Sequence, residues 1–131
     1  MIKFEVQGIP RPQGSMRAFN GHIVHNKSAE LMAWRAWIAE CARKAGCTPI
    51  DSPIAISMVF RVAKPKTVKR TYPTVAPDLD KYIRAVLDSL SKVAYLDDSQ
   101  VISIIAQKLY SDIPGVDIEI SDAFDCVTDI T

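Results

Sequence analysis

The chain has 131 residues and a mass of 14.5 kDa, close to the size of one domain, so a second independently folded unit is not expected. With 48% hydrophobic and 24% charged residues it can bury a core, which excludes a disordered chain. No apolar run approaches the roughly 20 residues that span a bilayer, and Met1-Ile2-Lys3-Phe4-Glu5 alternates instead of presenting a basic head and an apolar block, so a soluble intracellular protein is expected.

The net charge of +1 names no partner, but it is unevenly spread. Residues 1–84 hold 14 of the 16 Lys and Arg against 6 of the 15 acids, whereas residues 85–131 hold 2 against 9. A basic first part can hold a polyanion while the later acids bind metal or aid solubility; a mixed solvated surface is the plainer reading. Cys41, Cys47 and Cys126 are an odd set with no close pair motif, which argues for reduced thiols. His22 and His25 are too few and too far from the cysteines for a usual zinc site.

In chain order, Ile2, Phe4 and Val6 alternate with Lys3, Glu5 and Gln7, the pattern of a half-buried strand over residues 2–8. Gly8 to Gly14 break regular structure, and Asn20-Gly21 suits a tight turn in a short hairpin between Arg17 and Val24. From Asn26 or Ser28 as N-cap, Leu31, Trp34, Ile38, Cys41 and Ala45 recur at helical steps until Gly46, with Arg35, Ala39 and Arg43 on the opposite face. Ile54, Ile56, Met58, Phe60 and Val62 form the apolar face of a second main strand.

Residues 63–77 hold three prolines and four basic residues, and so long a loop in a small domain is functional or mobile. A second helix starts at Asp78, buries Ile83, Val86, Leu87 and Leu90, and ends near Ser91 to Tyr95. Val101 to Tyr110 is apolar on both faces, the mark of a central strand, and Val116, Ile118 and Ile120 make a last strand after Pro114-Gly115. The order is β-α-β-α-β-β: a single α+β domain over 1–131, its sheet of about four strands packed with two helices. Residues 121–131, with Asp122, Asp125 and Asp129, are expected to be an acidic tail that frays or contacts a partner.

The densest chemistry lies in Pro77-Asp78-Leu79-Asp80-Lys81-Tyr82-Ile83-Arg84-Ala85-Val86-Leu87-Asp88, followed by Leu96-Asp97-Asp98-Ser99-Gln100-Val101. Residues two apart on a helix point about 200° away from each other, so Asp78 and Asp80 can share a site only if Asp78 stays in the turn that leads into the helix. Three carboxylates there would suit a hard cation, since Mg²⁺ takes oxygen ligands, keeps waters and needs only one or two carboxylates plus substrate phosphates. Plainer readings exist for each acid: Asp78 as an N-cap, Asp80-Arg84-Asp88 as a surface ion-pair ladder, Asp97-Asp98 as a polar turn. The spacing fits no EF-hand, and the five glycines form neither a Walker nor a Rossmann pattern.

Pro77-Asp78-Leu79-Asp80, then Ala85-Val86-Leu87-Asp88-Ser89-Leu90, then Asp97-Asp98-Ser99-Gln100-Val101 resemble, in order and spacing, the RusA-like Holliday junction resolvases, small endonucleases of prophages and bacteriophages. The likeness is weaker in the opening strand, in Gly8-Ile9-Pro10 and in the first helix. The resemblance implies a homodimeric, Mg²⁺-dependent enzyme, with Mn²⁺ as a substitute, that makes symmetrical nicks in four-way DNA junctions in the cytoplasm of a bacterial host.

On that resemblance Asp78, Asp80 and Asp98 are the catalytic and metal-binding acids, with Asp97 beside them. Lys81 stands where the family usually has Asn, and Arg84 where it has a functional Lys; a guanidinium can clamp phosphate but not serve as acid or base. Arg84 would then act in the catalytic site, and Lys81, Arg11, Arg17, Lys64, Lys66, Lys69 and Arg70 would hold the DNA backbone. Tyr72 is expected to pack on its own domain, with stacking on an exposed base as the other reading. A non-catalytic branched-DNA-binding module of the same fold and a small-molecule phosphohydrolase are the competing functions, the second disfavoured by the extended basic loops.

Overall fold

In the computed structural model, residues 1–14, 16–19, 22–25 and 29–123 are described, by backbone alone for the two four-residue strands. The elements are β1 (Ile2–Gln7), β2 (Met16–Phe19), β3 (His22–His25), α1 (Ala29–Lys44), β4 (Ile54–Val62), α2 (Leu79–Leu90), a 3₁₀ turn (Asp98–Gln100), β5 (Val101–Tyr110) and β6 (Gly115–Asp122). The expected α+β architecture and element order hold. β2 and β3 form the expected hairpin, pairing antiparallel from Met16 opposite His25 to Phe19 opposite His22. The turn at Asn20-Gly21, the caps Asn26 and Ser28, Cys126 and the tail from residue 124 lie outside the described residues.

The main sheet has the order β1-β6-β4-β5, with β4 and β5 parallel and the other pairs antiparallel. A parallel pair needs a crossover, and α2 supplies it between β4 and β5. Ile56, Met58 and Phe60 of β4 face Ile120, Ile118 and Val116 of β6, which also register with Ile2, Phe4 and Val6 of β1. Against these pack Leu31, Trp34, Ile38 and Ala42 of α1 and Tyr82, Ala85, Val86 and Leu90 of α2, giving one continuous core. The ring of Tyr82 stacks on Phe60 with centroids 5.3 Å apart, a contact that adds about 0.5–1.5 kcal/mol beyond its area. On the opposite face Arg61 reaches Glu5 at 3.3 Å and Asp117 at 3.5 Å.

Three expectations are corrected. β5 is an edge strand, not a central one: it pairs only with β4 in the sheet, and Ile102, Ile104 and Ile105 are exposed. Ile102 is the extra residue of an irregularity, since Ile54 pairs with Val101 and Ala55 with Ser103. Ala39 is buried with the core instead of lying on a solvated stripe with Arg35 and Arg43. At the other end β6 runs through Asp122, and Ala123 is buried with its N–H donating to Pro53 O at 2.8 Å, so residues 121–123 are part of the fold and not a frayed tail.

Cys41 and Cys47 are free thiols, and burial pushes both upward in pKa. Among the described residues no helix is long and apolar enough to cross a membrane.

Candidate functional site

Asp78 and Asp80 stand at the N-terminal end of α2, and Asp97 and Asp98 in the turn before β5. Asp78 occupies the N-cap position with extended backbone, yet its side chain makes no capping hydrogen bond. The carbonyl of Asp78 instead starts the helix by accepting from Lys81 N at 3.1 Å. Asp80 sits in the first turn, where the helix dipole favours an anion, and its carboxylate has no hydrogen bond or ion pair among the described residues. Two acids at one helix end therefore serve neither of the structural roles open to them, the cap and the ion-pair ladder.

Arg84, one turn on from Asp80, turns away from it. Its Nη1 lies 2.7 Å from Asp98 Oδ2 and 3.8 Å from Asp88 Oδ1, so the guanidinium joins the helix to the 3₁₀ turn. Beneath this cluster the Tyr95 hydroxyl donates to Leu87 O at 2.8 Å, its pKa raised by burial and then by Asp98 and Asp88.

The neighbouring Asp97 does something different. Its Oδ2 accepts from Ser99 N at 2.9 Å while Gln100 Oε1 accepts from Asp97 N at 2.8 Å, a reciprocal cap on the 3₁₀ turn. Those bonds from Ser99 hold its carboxyl below the usual range. Gln100 also donates to Ile50 O at 2.9 Å and Ser52 O at 3.0 Å, anchoring the turn that carries Asp98. Of the adjacent pair, Asp97 is the polar turn residue and Asp98 the one that faces Arg84.

A groove of about 420 Å³ opens beside the helix end, walled by Asp80, Lys81 and Arg84, floored by Leu87 and Ile104 and closed by Gln13 and Gly14. Gln13 N donates to Lys81 O at 3.0 Å, which fastens the first loop to α2. That loop can cross the first helix because Gly8, at φ +142°, has no side chain where a Cβ would stand 3.1 Å from the Trp34 ring. Arg11 is half-buried and close enough to the Tyr82 phenol to oppose the upward push of burial on its pKa.

The long loop, residues 63–77, lies over the end of β5. Arg70 Nε donates to Tyr110 Oη at 2.9 Å, and Lys64 Nζ stands 5.7 Å from the centre of the same ring. Lys66 and Lys69 are exposed, and so is Tyr72, which is 59% accessible and does not pack on its own domain as expected. Arg17 lies on β2, and its side chain is outside the described residues. The sequence reading missed Lys108: its Nζ donates to Val75 O at 2.8 Å and Pro77 O at 2.9 Å, tying the last residues before Asp78 to β5.

Asp78, Asp80 and Asp98 do not close into a cage, since among the described residues no group of three or more His, Cys, Asp or Glu side chains is placed to hold a metal ion. Their donor chemistry nevertheless fits Mg²⁺, which needs one or two carboxylates and draws its other oxygens from water and substrate. The uncapped Asp78 and unpaired Asp80 would supply those two.

Comparison with known proteins gives a consistent picture. The uncharacterized protein YqaN of Bacillus subtilis (strain 168) is 31% identical over 138 residues, covering 92% of this chain and 96% of YqaN. A crossover junction endodeoxyribonuclease rusA of Lactococcus phage r1t is 26% identical over 118 residues, covering 88% and 86% of the two chains. The profile of the endodeoxyribonuclease RusA family matches residues 5–121, nearly all of the fold, and the chain belongs to that family.

Proposed function

We propose that the protein is a metal-dependent endodeoxyribonuclease that resolves four-way DNA junctions. The observation that carries this reading is the acidic end of α2, where Asp78 and Asp80 are left without structural partners beside a groove walled by Lys81 and Arg84. Asp78, Asp80 and Asp98 would hold Mg²⁺, or Mn²⁺ in its place. The bound metal would neutralise the scissile phosphate and lower the pKa of an attacking water.

The chain's own residues have separate tasks. Arg84 neutralises Asp98 in the free protein and can exchange that carboxylate for a phosphate oxygen of the substrate, because its planar fork suits either anion. Lys81 flanks the groove as a second cation. Lys64, Lys66, Lys69 and Arg70 on the long loop, with Arg11 and Arg17 on the other side, track the backbone and make affinity fall steeply with salt.

A homodimer suits a substrate with paired strands, and the free edge of β5 is the surface that most needs cover. It presents Ile102, Ile104 and Ile105 along a ten-residue strand whose one charged residue, Lys108, is turned to the loop.

The test is cleavage of a labelled four-way junction against linear duplex with Mg²⁺, with chelator, and with Asp80→Asn. Paired nicks that need metal and vanish in the variant are expected. Selective junction binding with no nicking in any divalent metal would replace this reading with a non-catalytic branched-DNA-binding module.

A further inference from the structure

Beside the acidic end of α2 lies a second cavity that none of the assigned groups uses. It has a volume of about 310 Å³ and sits between the long loop and the ends of β4 and β5. Its walls are mainly flat and apolar, with the rings of Pro65, Pro73, Pro77, Tyr82 and Tyr110 among them, and Arg70 and Lys108 bring the charge. Both cations already bond inward, Arg70 to the Tyr110 hydroxyl and Lys108 to two carbonyls, so the lining does not call for an anion inside.

The Tyr82 hydroxyl adds a second observation. Tyr82 lines the cavity, and among the described residues its hydroxyl bonds to no protein group. The hydroxyl opens onto the cavity, where a ligand with a polar edge can bond it. The volume is at the low end of the roughly 300–1,000 Å³ range of small-molecule sites, enough for one planar ring system.

The surroundings select the kind of ring. Lys64, Lys66 and Lys69 follow along the loop outside the cavity, a string of cations that fits a polymer of phosphates better than one free small molecule. Pro77 is both a wall of the cavity and the chain neighbour of Asp78. We propose that the cavity receives a single nucleobase turned out of the DNA strand on the 63–77 loop, gripping the nucleotide beside the bond presented to Asp78 and Asp80. At a branch point stacking is already interrupted, which lowers the cost of turning a base out. The assignment rests on the junction-cleaving reading and adds to it a contact that senses a base instead of the backbone.

The experiment is equilibrium binding of the full chain to a synthetic four-way junction in chelator at fixed salt, with an abasic nucleotide placed in turn at each position flanking the branch point. One position per symmetry-related strand should weaken binding on the order of tenfold, the scale of losing one stacked base. Ala63→Trp, at an exposed position that lines the cavity, should fill it, weaken binding to the intact junction by a similar factor, and abolish any further effect of the abasic site.

Junction-selective binding with no sensitive position would overturn the cavity assignment and leave the nuclease reading standing. Equal losses for intact and abasic junctions on Ala63→Trp would overturn it too, pointing to a protein partner or a backbone contact. No preference for junction over duplex would overturn both.

Discussion

Lys108→Met removes an ammonium while keeping most of the aliphatic stem, so it isolates what the tether to Val75 O and Pro77 O does. A hydrogen bond to a charged donor contributes roughly 1.5–3 kcal/mol when well buried, but Lys108 is only partly buried and water can replace it at both carbonyls. A net loss of about 1–3 kcal/mol follows, and at about 3–5 °C per kcal/mol for a domain of this size the melting temperature should fall by several degrees. The larger effect is on catalysis. Pro77 directly precedes Asp78, and a misplacement of about 1 Å at a reacting group can cost about 100-fold. Cleavage under saturating junction, well below the melting temperature, should therefore slow by about 10- to 100-fold, with Lys108→Arg recovering part of the rate. Junction affinity in chelator should fall by less than the rate does, through the loosened walls of the cavity beside the loop, and its salt dependence should hardly change. A drop in affinity with the slope of log K against log salt reduced by about 0.9 would identify Lys108 as a phosphate contact and refute the tether.

Three other outcomes follow from particular contacts. Asp97→Asn should keep junction cleavage while Asp98→Asn loses it, as rate measurements on the two adjacent variants will show. Because the Ser99 bonds lower the folded pKa of Asp97, its contribution to stability is present above the ordinary carboxylate value and is lost as pH falls through the folded value. The melting temperatures of wild type and Asp97→Asn should thus differ at neutral pH and converge in acid. Gly115→Ala should destabilise the fold by about 1–3 kcal/mol in urea titration, because a Cβ there would clash with the Val6 carbonyl oxygen and crowd an Arg61 nitrogen. Ile105→Lys, on an exposed side chain of β5, should convert the proposed dimer to a monomer in sedimentation equilibrium with little change in monomer stability.

The strands and helices were legible because their apolar residues keep strict periods, as in Ile2, Phe4 and Val6 or Ile83, Val86, Leu87 and Leu90. The position of β5 was not. A strand apolar on both faces reads alike whether it lies at the centre of the sheet or at its edge, and the exposure of Ile102, Ile104 and Ile105 comes with the edge. Lys108 was illegible for a related reason: its partners are backbone carbonyls 31 and 33 residues away, which leave no trace in side-chain spacing. The division between Asp97 and Asp98 could have been found, since Gln100 stands three residues after Asp97 in the spacing of a reciprocal cap.

Arg84 shows why the acids of this site have to be read one at a time. Helical spacing offers it Asp80 on one side and Asp88 on the other, and a surface ladder would use both. The side chain instead makes its shortest contact with Asp98, 14 residues on, and leaves Asp80 unpaired. A guanidinium stays charged across the working pH range, so at this position it can hold an anion but cannot pass a proton. In the proposed reaction the proton from the attacking water would then leave by solvent or by a carboxylate. Arg84→Lys supplies the contrast: a lysine, whose proton can be lost, should keep part of the activity and add a fall in rate at high pH that the wild type lacks. A pH–rate profile with that fall already present in the wild type would mean that some other group carries the proton.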